Sequence, residues 1–182
     1  FVRNAMRHYW AMRDELPFVI IAREVRVVNL TAGYGGTFDA LVWIAPDGWG
    51  NRPLPKPETI TVAWVAANGG RIVLLDWKTS AGIHTDQTVQ AHAYLAAEFA
   101  VVDGKRDERI TDLLASAFEG GLAHIRPSGW ALYLFPYEDE SVAAFLGSVA
   151  FARFLAKNGK PDALWSKVYK GESNEVDESI DD

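Results

Sequence analysis

The chain has 182 residues, 49% of them hydrophobic, which suits one globular domain with a sizeable core. It contains no cysteine, which excludes disulfides, thiolate zinc sites and iron–sulfur clusters and is compatible with a reducing compartment. The net charge of −6 argues at first sight against a polyanionic ligand, but Glu172, Glu175, Asp177, Glu178, Asp181 and Asp182 supply six negative charges with no Lys or Arg after Lys170, so the rest of the chain is neutral.

In chain order, residues 3–15 form a helical stretch with Met6, Trp10 and Met12 facing inward. After Pro17, the runs Phe18–Ala22 and Glu24–Val28 predict one long strand, and Gly33-Tyr-Gly-Gly36 turns into a second strand from Thr37 to Ala45. A loop rich in Pro and Gly follows from Pro46 to Pro57. Thr59 to Ala66 is expected as a strand, with Asn68-Gly-Gly70 its hairpin turn and Arg71 to Lys78 the returning strand. Thr85 or Asp86 caps an expected helix to about Val101, packed through Val89, Ala93, Ala96 and Ala100. A short helix follows at Ile110–Glu119, and then a hairpin of Ala123–Arg126 and Trp130–Pro136 across Pro127-Ser-Gly129. A last amphipathic helix spans about Ser141–Lys157, with Val142, Phe145, Leu146, Val149 and Leu155 inward, and Asn158-Gly159 and Pro161 end it. This order predicts an α/β or α+β layered domain built on a mixed sheet. It is expected to occupy residues 1–171, with 172–182 an acidic, disordered tail. No stretch is apolar enough to span a bilayer, and the start carries no signal-peptide pattern. The chain opens on Phe1 rather than Met, the pattern of a fragment or a processed chain.

One segment concentrates the chemistry. Ile72-Val-Leu-Leu-Asp76-Trp-Lys78-Thr-Ser80 is a buried strand ending in an acid, one spacer and a lysine, and strand periodicity sets Asp76 and Lys78 on one face, roughly 7 Å apart along the backbone. Charges at such a place are paired or bound to something. A structural salt bridge satisfies that requirement. So does a divalent metal on Asp76, with Lys78 stabilising a negatively charged reacting centre. Alternation on the second strand puts Thr37, Asp39, Leu41 and Trp43 on one face, with Asp39 the lone charge of that row. A carboxylate capping nearby amides is the competing role for Asp39. Two acids on neighbouring strands, with a backbone carbonyl and water, make an oxygen-rich site suited to Mg²⁺ or Mn²⁺. Gln90 and Tyr94 stand four apart on the following helix and share a face that can look back at the Asp76 strand.

These residues carry a resemblance. Gly36-Thr-Phe-Asp39, then Leu75-Asp76-Trp-Lys78-Thr-Ser80, then Gln90-Ala-His-Ala-Tyr94 resemble the PD-(D/E)XK nuclease superfamily over about residues 18–100. The similarity is closest to its RecB-like branch, which includes phage recombination exonucleases. The resemblance implies a restriction-endonuclease-like core, a mixed sheet flanked by helices, and metal-dependent cleavage of DNA by an exonuclease of recombination or repair. It implies Mg²⁺ or Mn²⁺ held by Asp39, Asp76 and the Trp77 carbonyl, Lys78 as the catalytic lysine, and Gln90 and Tyr94 serving the active site. DNA is the expected partner, alongside a recombinase, annealing protein or helicase, with no membrane, in the cytoplasm, which for a phage protein is that of the host.

The chain departs from the pattern near its start. The family's early histidine sits in a G-x-x-x-H helix, whereas His8 here follows Asn4; a metal-ligand role competes with an ordinary histidine. Glu24 matches an acid at the first strand of this branch, against a salt bridge with Arg23 or Arg26. A nuclease-fold module that grips DNA ends or a partner without cutting is the alternative function, and a structural phage protein is a third. Gly33-x-Gly-Gly36 is no phosphate loop, because a strand follows and no Gly-Lys-Ser/Thr appears. His84, His92 and His124 lack metal-ligand spacing. Arg52, Lys56, Arg71 and Arg126 are candidate DNA-backbone contacts, and Trp49 and Trp130 candidate base-stacking rings, with solvated surface and packing as the competing roles.

Overall fold

The computed structural model describes residues 2–80, 82 and 84–158. The chain divides into two compact units, Phe1–Leu146 and Gly147–Asp182, the second described only in its helical residues 147–158. The acidic segment 172–182, Gly159 and Pro161 lie outside the described residues.

The first unit is a mixed α/β layer structure. Its strands are β1 (Phe18–Asn29), β2 (Tyr34–Ile44), β3 (Arg71–Lys78), β4 (Phe99–Val102), β5 (Lys105–Arg106), β6 (Glu119–Arg126) and β7 (Gly129–Pro136). They form one seven-stranded sheet in the order β5-β4-β1-β2-β3-β6-β7. All pairings are antiparallel except β3 with β6, which run parallel in the register Asp76↔Leu122 and Lys78↔His124. The helices are α1 (Val2–Glu15), α2 (Val62–Asn68), α3 (Thr85–Leu95), α4 (Glu108–Ala115) and α5 (Asp139–Asn158). No helix among the described residues is long and apolar enough to cross a membrane.

Two hydrophobic layers hold the sheet. On one face Met12 of α1 packs with Phe18, Ala40, Val42, Ile44, Val73 and Leu75. On the other, Leu41, Trp43, Ile72 and Leu74 meet Ala91 and Leu95 of α3 and Ile110, Leu113 and Leu114 of α4. The side chains of β3 therefore alternate cleanly between layers, as a strand covered on both faces must.

Several expectations are corrected. Met12 is buried, but Met6 and Trp10 of α1 are 46% and 54% exposed, because the helix turns only one edge onto the sheet. Residues 62–68 are helical, not a strand: the Thr61 hydroxyl accepts the Trp64 N–H and starts α2, and its Ala-rich run favours helix. Gly69, at φ 77°, ends it, so Gly69-Gly70 terminates a helix instead of turning a hairpin. The helix α3 stops at Leu95, where the Asn29 side chain donates to the Ala96 carbonyl at 2.9 Å; Phe99–Val102 then pairs with β1 as β4. His84, not Thr85 or Asp86, is its N-cap, with the Gln87 side chain accepting the His84 N–H. Glu119 opens β6 instead of closing α4.

Candidate metal and acid site

The strands β2 and β3 stay paired only as far as Ala40↔Leu75, while β3 continues beside β6 to Lys78↔His124. The site lies where the two strands part. Beyond the last rung, the Trp77 N–H has lost its partner on β2, and Asp39 Oδ2 accepts it at 2.7 Å. The carboxylate thus replaces a rung of the ladder.

A paired irregularity aims Asp39 this way. Ala22 and Val25 of β1 face the same core layer although they are three residues apart, and so do their partners Leu41 and Phe38 of β2. Alternation is therefore broken on β2 around Asp39, while β1 keeps Val19, Ile21, Val25 and Val27 on that layer and takes up the difference in a register shift between Ile20 and Ala22. Glu24 has φ 48°, a left-handed conformation costly for a residue with a Cβ. Thr37 is accordingly exposed and Phe38 takes the core position, which corrects the simple row Thr37, Asp39, Leu41, Trp43.

Asp76 and Lys78 lie on the face of β3 that bears α3 and form an ion pair, both about three-quarters buried. Burial raises the Asp76 pKa from its ordinary value; hydrogen bonding to Lys78 opposes this, and the Asp39 carboxylate raises it further. Two carboxylates sharing a half-buried crevice with one ammonium carry more negative charge than the lysine balances. That donor set fits a hard divalent cation. Between the two charged residues, the Trp77 ring turns to the opposite face, 5.5 Å from Tyr9 of α1 and 6.5 Å from Phe18.

Tyr94 docks on Gly36. A Cβ at Gly36 would collide with the Tyr94 ring, so the glycine is required for the strand and helix to approach. The same ring lies 6.4 Å from Phe38, the neighbour of Asp39, and the Tyr94 hydroxyl accepts from Gln90 Nε2 at 2.7 Å. Gln90 and Tyr94 therefore buttress the acid strand; among the described residues no hydrogen bond joins them to Asp39, Asp76 or Lys78. The Gly36–Tyr94 contact was not foreseen as a pair, although both residues stood out in the sequence.

The remaining candidates are placed as follows. His8 Nε2 lies 3.1 Å from the Pro127 carbonyl at the β6–β7 turn, and Glu24 is exposed, opposite Asp39 in the register bracketed by Arg23↔Ala40 and Val25↔Phe38. Among the described residues no group of three or more acids and histidines is close enough to hold a metal, so neither His8 nor Glu24 joins the Asp39–Asp76 pair here. His92 is a core residue: its Nε2 lies 2.9 Å from the Pro136 carbonyl, and its Nδ1 is buried without a partner. Trp49 is buried edge-on against Trp43 at 5.0 Å, and Trp130 packs on the α1 layer, so both serve the core. Arg71 pairs with Glu119, and Arg52 covers the Trp49 ring.

No family model matches this chain, and no curated protein matches it at a significant level.

Proposed function

We propose that the protein is a metal-dependent DNA nuclease, built on a restriction-endonuclease-like core and acting as an exonuclease in recombination or repair. One observation carries the reading: Asp39, Asp76 and Lys78 converge where β3 leaves β2, and the two carboxylates are close enough for one to raise the pKa of the other. The architecture is in keeping with it, since a mixed sheet flanked by helices is what the motif resemblance implies.

Asp39, Asp76 and the Trp77 carbonyl are the oxygens that would hold Mg²⁺ or Mn²⁺. When bound, such an ion polarises a phosphodiester and makes water nucleophilic near neutral pH. Lys78 neutralises charge gathering on the non-bridging phosphate oxygens as the water oxygen attacks phosphorus and a P–O ester bond breaks. Asp39 holds the Trp77 backbone, and hence the spacing of Asp76 and Lys78, through its second function as an acceptor. Tyr94, seated on Gly36, fixes the distance of α3 from the acid strand.

The second reading is a DNA-end- or partner-binding module of the same fold that does not cut. The closed Asp76–Lys78 ion pair favours it, because each group satisfies the other without a ligand. Incubating the protein with labelled DNA in Mn²⁺, beside Lys78→Ala, separates the two. Cleavage by the wild type that the variant lacks, with DNA binding retained, supports the enzyme; binding without cleavage by the wild type selects the module.

A further inference from the structure

The parallel pairing of β6 with β3 extends the acid face sideways. His124 is the register neighbour of Lys78, and Arg126 lies two residues further along the same strand, roughly 8 Å from Lys78 by strand spacing. Gly120 of this strand abuts the Phe135 ring, which meets His92 of α3, so the Gly120, Leu122, His124, Arg126 row faces the α3 side, as Asp76 and Lys78 do. On β7, Tyr133 stands opposite Leu122.

A cleft of about 440 Å³ opens on this face, lined by Thr88, Leu122, His124, Arg126, Tyr133 and Phe135. Its furnishings are unequal in a telling way. His124 is buried, its Nε2 2.8 Å from the Ser80 carbonyl, which holds the segment that follows Lys78 against β6. Arg126 is exposed and enters no ion pair among the described residues. Tyr133 is 51% exposed, a large ring left in water at the rim of a cleft floored by Leu122. A guanidinium and an open aromatic ring lining the same cleft match one ligand chemistry: a phosphate joined to a planar base.

We propose that this cleft binds the nucleotide next to the cleaved bond, with Arg126 on its phosphate and Tyr133 stacked on its base. This rests on the nuclease reading for its place in the reaction, but the site binds a nucleotide whether or not the protein cuts. The base must be unstacked to meet Tyr133, so the strand gripped here is single. Arg126 and Tyr133 are positioning residues: they hold the strand beside Lys78 without touching the reacting atoms.

Titration calorimetry with thymidine 3′,5′-bisphosphate in EDTA tests the site free of metal and of turnover. Saturable binding by the wild type, weakened about five-fold or more in Arg126→Ala and Tyr133→Ala but retained in Tyr133→Phe, is expected. No saturable binding by the wild type, or equal binding by Arg126→Ala with its circular dichroism unchanged, overturns the proposal. Cleavage of bis-p-nitrophenyl phosphate in Mn²⁺ reads the nuclease activity separately, because that ester offers no neighbouring nucleotide. The wild type should turn it over and Lys78→Ala should not. If neither does while nucleotide binding still depends on Arg126, the nuclease reading fails and the nucleotide site stands.

Discussion

Asp39 reaches across a strand boundary to accept the Trp77 backbone N–H at 2.7 Å, and so ties the middle of β2, where its pairing with β3 stops, to the one residue that separates Asp76 from Lys78. The carboxylate does two things at once: it completes hydrogen bonding where the ladder stops, and it brings a second negative charge beside Asp76. These functions are separable by substitution. Asp39→Asn keeps a carbonyl oxygen for the Trp77 N–H but removes the charge; it should fold with a stability within about 1 kcal/mol of wild type and lose metal-dependent cleavage. Asp39→Ala strands the N–H and should cost about 1–3 kcal/mol as well. Urea unfolding of the two variants checks the difference.

The Asp76 carboxyl has a raised pKa in the folded protein, chiefly from burial and then from Asp39. The folded state therefore holds this proton more tightly than the unfolded chain does. Stability from this group is greatest below the unfolded-state value and falls as pH rises through the folded value. Without metal, thermal stability should decline across that window, and Asp76→Asn should flatten the decline. Mg²⁺ or Mn²⁺ should offset it at neutral pH, by about 2.7 kcal/mol at a hundred-fold excess over the dissociation constant. Scanning calorimetry with and without EDTA reads both.

Gly36 and Tyr94 make a second pair. Gly36→Ala drives a methyl group into the Tyr94 ring and should destabilise by about 1–3 kcal/mol, with cleavage falling in step as α3 is displaced from the acid strand. Tyr94→Ala opens the space, so the double variant should be less unstable than the sum of the singles. Tyr94→Phe removes only the Gln90 hydrogen bond and should cost under about 1 kcal/mol. A double-mutant cycle of unfolding free energies measures the coupling.

The helical state of residues 62–68 is open to a simple check. Thr61→Ala should cost about 1 kcal/mol through loss of the cap to Trp64, whereas Thr61→Ser should be nearly neutral. If the segment were a strand, β-branched Thr61 would be preferred over both, and serine would destabilise too.

Much of this arrangement is legible in the chain because it is local. The Ile72–Lys78 run has the length and composition of a two-face strand, and Asp76 and Lys78 inherit their shared face from its period of two. Gly36, Asp39, Gln90 and Tyr94 stand out through the motif resemblance, which their sequence positions carry. What the chain does not announce is non-local. The phase slip at Asp39 on β2 goes with a register shift between Ile20 and Ala22 on β1, and nothing in either segment alone signals it. The Thr59-Ile60-Thr61-Val62 alternation imitates a strand, while the capping hydroxyl that decides for helix is a single residue. Likewise Phe99–Val102 continues an alanine-rich helical pattern, and only its pairing with β1 and the Asn29 cap on Ala96 end the helix. The parallel seat of β6 beside β3, which sets His124 next to Lys78, is a matter of topology that no spacing reveals.

The measurement that tests the central claim most directly is cleavage of end-labelled linear and circular DNA, single- and double-stranded, in Mg²⁺, Mn²⁺ or EDTA, by the wild type and by Asp76→Asn. The account predicts metal-dependent loss of linear DNA by the wild type, with circles spared and the variant inert. A wild type that cuts none of these substrates in either metal would contradict it.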